Sequence, residues 1–432
     1  MSKLLSARLH AHTDASIQDA KMTKAEYINR AKEIGMDAIA ITDHGNLLNS
    51  LTFYSECKVA DIKPIIGCEL YVGNERRHMI MLAKNLKGYR ALCELVTESN
   101  KNIVTSGKFN FPIVTKEMLQ KMDNRDDVVV MSACVGGILA KELLYNHQIE
   151  KEIKKIEKKI SKLDYNKDLV SKYDDLKETF NDLKQQKKDL QEKAKKTYKS
   201  LENKAKKLLA SEDTEDNEAG KKMIVKAEKI KQQKEYAILK ISEISNEMSD
   251  ISANIKKIEK EAKKNKKSQE KYEEYESDIR NLECQKRTDN ILYENTKKEL
   301  MFYKRLFSDF YIEVQYHGLS EEKEAFQKLI ELAKKTDTPL VATDDAHIAT
   351  KSEPEILGRN YIRSLRFNMY VEVTESDKEL YLHSDVELRE ALKNIADADV
   401  INECFRNISN IAEKCNLEFS NEKFYPKFYK GN

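Results

Sequence analysis

The sequence predicts an α/β domain interrupted by a long antiparallel α-helical coiled-coil hairpin. Three observations carry this expectation. Short β-rich apolar runs alternate with amphipathic helical stretches toward both ends of the chain. The middle is almost free of Pro and Gly, and it holds a sustained heptad repeat of apolar residues.

Composition separates the two regimes. The 432 residues include 76 Lys+Arg and 74 Asp+Glu, a formal charge of only +2, although 35% are charged. Pro64, Pro112, Pro339, Pro354 and Pro426 all lie outside residues 113–338, and Gly220 is the single Gly between Gly137 and Gly318. Residues 151–300 carry 39 Lys/Arg and 32 Asp/Glu, against 37 and 42 in the remainder. The near balance excludes a strongly basic nucleic-acid coat over the whole chain. No apolar run is long enough to span a membrane. The N-terminus lacks the apolar run of a signal peptide, and the 7 Cys show no CxxC spacing. A cytoplasmic protein with reduced thiols is expected.

In the charged middle, Ile149, Ile153, Ile156, Ile160 and Leu163 step by alternating fours and threes. After a slip at residues 164–166 the stepping resumes at Leu169, Tyr173, Leu176, Phe180 and Leu183, and continues through Leu190, Ala194, Leu201 and Leu208. Beyond an acidic, Gly-bearing break it returns at Met223, Ala227, Ile230, Ala237, Ile241, Ile244, Met248, Ile251, Ile255 and Ile258. Charged residues between such positions describe a coiled-coil seam. Two arms folding back near residues 211–221 make the simplest arrangement; the weaker pattern at Asn265–Gln269 leaves a bend or an extra helix open in the second arm. The insertion is placed at residues 148–304. It divides one domain into a first part, 1–147, and a second part, 305–432, with a C-terminal helical segment.

The flanking parts hold the strand-like runs Ala38–Thr42, Lys63–Gly67, Met79–Ala83, Asp127–Met131, Phe310–Val314 and Pro339–Thr343. Amphipathic stretches lie between several of them: Lys24–Ile34, Leu47–Ala60, Gly88–Asn100 and Ser320–Lys335. Strand alternating with helix points to a parallel sheet, open or closed into a barrel.

Only 8 His are present, and several occupy one kind of place. His10 and His12 are two apart, so on a strand they share a side. His44 follows Ile39–Asp43 at a strand end. Asp345 and His347 follow Leu340–Asp344, and Cys134 follows Val128–Ser132, in the same manner. Ligands at the carboxyl ends of parallel strands converge on one mouth of an α/β domain. One HxH alone reads as a structural hydrogen-bonded pair, and Cys134 alone as a buried apolar residue; the repeated placement points to a metal. Imidazole, carboxylate and thiolate together suit zinc, iron or manganese better than magnesium.

The residues carrying this pattern resemble a known family. Leu9-His-Ala-His12, Ala40-Ile-Thr-Asp-His-Gly45, Pro64-Ile-Ile-Gly-Cys-Glu69 and His78-Met-Ile-Met-Leu-Ala-Lys-Asn85 are similar to motifs of the PHP (polymerase and histidinol phosphatase) domain found in bacterial DNA polymerase III alpha subunits. Met131–Cys134, Phe310–Gly318 and Val341–His347 continue the similarity in order. The resemblance implies a distorted seven-stranded (β/α) barrel and a centre of three divalent ions (Zn, Mn or Fe). It implies nine ligands: His10, His12, Asp19, His44, Glu69, His78, Cys134, Asp345 and His347. His78, which begins its strand, and Asp19, in a loop, rest on the resemblance alone. The sequence ends where the polymerase would continue into its palm domain, so no polymerase activity is expected of this chain by itself. The long insertion is a second departure from the family.

Such a centre implies phosphoester hydrolysis through a metal-bridging hydroxide, positioned by Asp19, Glu69 and Asp345. The substrate implied is the 3′ end of a DNA strand, single-stranded and shortened by one nucleotide at a time. Two other readings stand beside this exonuclease: an auxiliary or scaffolding polymerase-associated module that docks a polymerase or other protein through the coiled coil, and a small-molecule phosphatase. Arg76 and Arg77 are candidates for holding a substrate phosphate, with a solvated surface pair as the plainer alternative. His317 has no evident partner, and His147 and His383 are expected at the surface.

Overall fold

The computed structural model describes residues 4–163, 166–208 and 214–420. They form two compact units: Met1–Ile149 with Lys286–Asn432, and Glu150–Gln285.

The first unit is built on a curled sheet. Its strands are β1 (Ala7–Arg8), β2 (Ala38–Ile41), β3 (Lys63–Val72), β4 (Arg77–Ala83), β5 (Ile103–Ser106), β6 (Phe109–Val114), β7 (Val128–Met131), β8 (Phe310–Val314) and β9 (Leu340–Ala342). The main path runs β1-β2-β3-β4-β7-β8-β9. The β1–β2–β3 and β7–β8–β9 ladders are parallel, but β4 is antiparallel to both of its neighbours, β3 and β7. The sheet is therefore mixed rather than parallel. The chain reverses between Val72 and Arg77 through a tight turn with Gly73 and Arg76 at positive φ, and no crossover helix intervenes. That reversal also explains how His78, at the start of β4, comes level with residues that end their strands: Tyr71 pairs with His78.

A β5–β6 hairpin, which the apolar runs did not reveal, leaves the main path and pairs β6 with β3 through Tyr71–Ile113 and Val72–Val114. β1 is only two residues long, so His10 and His12 lie beyond it. An isolated bridge between Ala11 and Ala346, with His12 N donating to Ala346 O at 2.8 Å, closes the curl past the ends of β1 and β9.

Helices α1 (Lys24–Glu33), α2 (Ser50–Val59), α3 (Leu86–Lys101), α4 (Lys116–Lys121) and α5 (Ala140–Leu143) follow the early strands. Local chemistry sets their starts: Glu26 N donates to Thr23 Oγ1 at 3.3 Å while Thr23 N donates to the Glu26 carboxylate at 2.8 Å, a reciprocal cap. The strands are buried on both faces. Ile39, Ile66, Met79, Leu82, Val129, Met131, Ile312 and Val341 are fully enclosed, which is why these segments read as continuous apolar runs.

The second unit consists of α6 (Tyr145–Ile160), which enters it, α7 (Lys167–Leu208) and α8 (Thr214–Gln285). α7 and α8 pack side by side. Lys159 lies over the Tyr275 ring and Asn166 N donates to Asn265 Oδ1 at 2.6 Å, pairings of antiparallel sense. Ile153, Val170, Tyr173, Leu183 and Ala262 are buried between exposed charged residues. The acidic stretch expected as a broad break is helical from Thr214 onward, Gly220 included. One Gly costs a long helix only about 1 kcal/mol. The tip expected at 211–221 falls partly outside the described residues, as do the side chains of Leu201, Leu208, Met223, Ala227 and Ile230. α8 continues without interruption through Asn265–Gln269.

The chain re-enters the first unit through α9 (Asp289–Leu306), α10 (Ser320–Thr336), α11 (Glu353–Phe367), α12 (Asp385–Leu392) and α13 (Ala398–Lys414). Asn146 Nδ2 donates to Arg287 O at 2.7 Å and Arg287 N donates to Asn146 Oδ1 at 2.9 Å, pinning the exit and the return of the chain together. Among the described residues no helix is long and apolar enough to cross a membrane.

Candidate metal centre

Three groups of side chains gather at the end of the sheet where β1, β3 and β9 run out. One ligand atom each from His10, His12, Glu69 and Asp345 lies within 4.8 Å of the others; His12, His44 and His347 meet the same limit, and so do Glu69, His78 and Cys134. Asp19 joins through His44, whose Nε2 is 3.3 Å from Asp19 Oδ2. All nine positions picked out by the motifs thus fall in one contiguous cluster.

The imidazoles are held from behind. His10 Nδ1 is 2.9 Å from Glu313 Oε2. His12 Nδ1 is 3.0 Å from Ser16 Oγ, whose own proton goes to Asp43 Oδ1 at 2.8 Å, so the imidazole donates. His347 Nδ1 donates to the Asp345 carbonyl at 2.7 Å. In each ring the anchored Nδ1 directs Nε2 inward, as partners behind a ligating imidazole do. There the Nε2 atoms of His10 and His12 stand 3.2 Å apart, each 3.1 Å from Asp345 Oδ1. His12 Nε2 is also 2.9 Å from Glu69 Oε2.

This crowding is the test of fit for a cation. Asp345 Oδ1, Glu69 Oε1 and His44 Nδ1 are buried and receive no well-directed hydrogen bond. Buried lone pairs that face one another are costly unless a proton or a cation lies between them. Without a cation the protein relies on protons. Burial disfavours a charged His10, yet Asp345 and Glu313 raise its pKa well above the ordinary value. Burial opposes ionisation of Asp345 too, but His10 above all holds its carboxyl well below the usual range. Glu69 is likewise lowered against burial by His78 and His44. His347 is pushed down to about 3 by burial and by the Arg359 guanidinium, which keeps its imidazole neutral. Burial, with Asp345 and Glu69 beside it, raises the Cys134 thiol well above its ordinary value.

Backbone geometry places the outer members. Gly45, at φ +61°, lets the chain turn directly after His44; a Cβ there would meet Pro112 at 2.9 Å. Gly137 closes the loop carrying Cys134 so tightly that a Cβ would sit 2.1 Å from Ser132 O. Cys134 Sγ is 3.6 Å from His78 Nδ1.

The centre opens into a pocket of about 220 Å³ lined by Asp19, His44, His78, Cys134, His317 and Arg359, among others. His317 has partners that spacing did not disclose: its ring meets Glu322 Oε1 at 2.8 Å and Asp344 O at 3.0 Å. Burial works against its charge, but Glu322 pushes the pKa up to about 9. His383, expected at the surface, is buried and stacked on Tyr381 at 3.9 Å. His147 is half-buried beside Glu324.

The two candidate arginines separate. Arg77 is committed to the scaffold, donating to Glu142 Oε2 at 2.6 Å, and so is not free to meet a substrate phosphate. Arg76 lies over the Phe111 ring at 4.6 Å. Sequence reasoning also passed over Glu313 and Arg359. Glu313 is a carboxylate inside an otherwise apolar strand, and a fully buried charge there demands partners, which was its one available signal. Arg359 reaches Asp19 Oδ1 at 3.3 Å and Asp377 Oδ1 at 3.0 Å across an approach that no local pattern encodes.

Residues 8–172 match the PHP domain family. The chain is 36% identical over 159 residues to DNA polymerase III subunit alpha of Chlamydia muridarum, covering 34% of this chain and 12% of that protein. It is 36% identical over 151 residues to the subunit of Borreliella burgdorferi, covering 32% and 13%. The matched region therefore spans about an eighth of the length of these relatives. Among solved structures, a protein described as a metal-dependent phosphoesterase from Bifidobacterium adolescentis aligns over 91% of this chain and 98% of its own, with 11% identity and a TM-score of 0.28.

Proposed function

From the premise that this chain carries a PHP domain at residues 8–172, we propose that it is a metal-dependent phosphoesterase, and that its substrate is the 3′ end of a DNA strand, shortened one nucleotide at a time. The observation that carries the reading is the convergence of imidazoles anchored at Nδ1 on the buried carboxylates of Glu69 and Asp345.

His10, His12, Asp19, His44, Glu69, His78, Cys134, Asp345 and His347 would hold three divalent ions, and this mixture of nitrogen, oxygen and sulfur donors suits zinc, manganese or iron. Such ions supply acidified water for attack on phosphorus and offset charge on the phosphate oxygens. The protein's own part is positioning. Glu313, Ser16 and the Asp345 carbonyl fix three rings, and Arg359 with Arg366 steadies the Asp19 carboxylate from outside at 3.3 and 3.4 Å. His317 spends both ring nitrogens on Glu322 and the Asp344 carbonyl, so it shapes the pocket wall and stays out of proton transfer. The similarity to DNA polymerase III alpha chains supports DNA over a small phosphate ester as substrate.

The test joins metal analysis of the purified protein to digestion of single-stranded DNA labelled at either end, with Asp345→Ala as control. Stepwise loss from the 3′ end, abolished by the substitution, is the expected result. Turnover of small phosphomonoesters without DNA cleavage would replace this reading with a small-molecule phosphatase. Absence of both activities, with co-purification of a polymerase chain, would replace it with an auxiliary module.

A further inference from the structure

We propose that an aromatic ladder leading away from the centre, Tyr71–Phe111–Phe109–Phe367 with Arg76 and Arg366 along it, is the track that holds single-stranded DNA upstream of the reacting phosphate. This rests on the phosphodiesterase reading above and assigns residues to the strand itself.

The ladder is continuous. Tyr71 stacks on His44 with centroids 5.8 Å apart and meets His78 edge-on at 5.3 Å, so its inner end touches the cluster. Phe111 follows at 5.3 Å, Phe109 lies 6.5 Å beyond it, and Phe367, at the end of α11, is 5.8 Å from Phe109. Phe109 and Phe111 are two apart on β6, hence on one face of a hairpin that stands off the main sheet path.

Charge accompanies the rings. The Arg76 guanidinium lies 4.6 Å over Phe111; Arg366 lies 5.1 Å over Phe109 and 5.8 Å from Phe367, and Lys108 is 5.6 Å from Phe109. Arg366 also reaches Asp19 Oδ2 at 3.4 Å, which ties the track to the centre. Among the described residues no carboxylate pairs with Arg76.

An ordinary hydrophobic cluster would be enclosed and free of cations. Here Tyr71, at the inner end, is buried, but Phe109 and Phe111 are half-buried, Phe367 is 42% exposed, and Met369 and Tyr370 beyond it are 66% and 77% exposed. Each edge-to-face contact, at 82° and 79°, occupies one face of one ring and engages the other ring only at its edge. Partly exposed rings interleaved with guanidinium groups match the alternation of base and phosphate along a single strand, and stacking of this kind tolerates any base.

The experiment measures binding by fluorescence anisotropy, with the 432-residue chain in EDTA and a labelled oligothymidylate of about 12 nucleotides, within the range of known single-strand sites. Phe109→Leu/Phe367→Leu keeps apolar bulk and removes the rings; thermal unfolding verifies that it folds. The expected result is binding by the wild type and roughly tenfold or greater weakening in the double variant. Arg76→Gln should lower the slope of log K against log salt by about 0.7. An abasic strand of equal charge should bind wild type and double variant alike. Equal oligothymidylate affinity for both proteins overturns the proposal, as does a wild type that does not bind at about 100 µM. Hydrolysis of bis(p-nitrophenyl) phosphate by the metal-loaded wild type is measured separately. Its failure would sink the phosphoesterase reading while the EDTA titration still decides the track.

Discussion

Glu313 and His10 face each other across the floor of the centre, both fully buried, with Oε2 2.9 Å from Nδ1. The carboxylate is itself well supplied: Ala133 N donates to Oε1 at 2.8 Å, and Thr343 Oγ1 and Gln315 Nε2 donate to Oε2 at 2.5 and 3.1 Å. Glu313 therefore links the Cys134 loop, β8 and the end of β9 to the ring it orients. Replacing it by Gln keeps the volume and removes the charge that favours His10 as a donor at Nδ1. Metal retention should fall roughly 10- to 100-fold, the usual cost of losing a partner behind a ligand. Metal content after dialysis against a graded chelator measures it, with circular dichroism to show that the fold persists.

Arg359 serves two carboxylates at once and is only 6% exposed. Arg359→Met removes the cation shared by Asp377 and Asp19, which keep Arg363 and Arg366 as partners, so the loss should fall below the roughly 3–5 kcal/mol of a buried pair broken outright. Arg359→Lys should rescue little, because a single ammonium cannot reproduce the two-sided fork. Denaturant unfolding of the three proteins gives the comparison.

The His317–Glu322 pair carries a pH signature. The folded-state pKa of His317, about 9, lies above its unfolded value of about 6.5. A raised histidine stabilises fully below its unfolded pKa and loses that contribution as pH climbs through the folded one. Stability should therefore decline between about pH 6.5 and 9, and His317→Gln should flatten the decline in thermal melts across that range. An unchanged slope would refute the assignment.

The Asn146 side-chain amide makes two hydrogen bonds to the Arg287 backbone where the chain leaves and re-enters the first unit. Replacing residues 150–285 with a short Gly/Ser linker should leave that unit folded, with its unfolding transition within a few degrees of its original position and its metal content intact. Loss of soluble protein or of bound metal would show that the long helices contribute to the first unit's integrity.

How much of this was legible beforehand depends on the range of the interaction. The strand runs and helix starts such as Thr23–Glu26 are local, and they appear close to their expected places. The mixed sheet was not legible. The direction of β4 depends on a four-residue reversal between Val72 and Arg77, and apolar periodicity carries no sign for direction. The β5–β6 hairpin was hidden for a different reason: from Ile103 to Pro112 its residues are exposed or half-buried and polar residues break up the apolar ones, and only Ile113 and Val114 are buried.

In the centre, residue types and their positions at strand ends were readable from the chain alone, since short motifs such as Leu9–His12 and Asp345–His347 preserve the chemistry of their members. The partners behind them were not. Glu313 meets His10 across a sequence separation of 303 and Arg359 meets Asp19 across 340, so only the curl of the sheet brings them together. The linear order determined which side chains are able to bind a cation and where the long helices interrupt the domain. Packing decided which nitrogen each imidazole turns inward, which of Arg76 and Arg77 stays unpaired, and that Tyr71, Phe111, Phe109 and Phe367 form one ladder, because orientation follows from contacts that the chain makes only once it is closed upon itself.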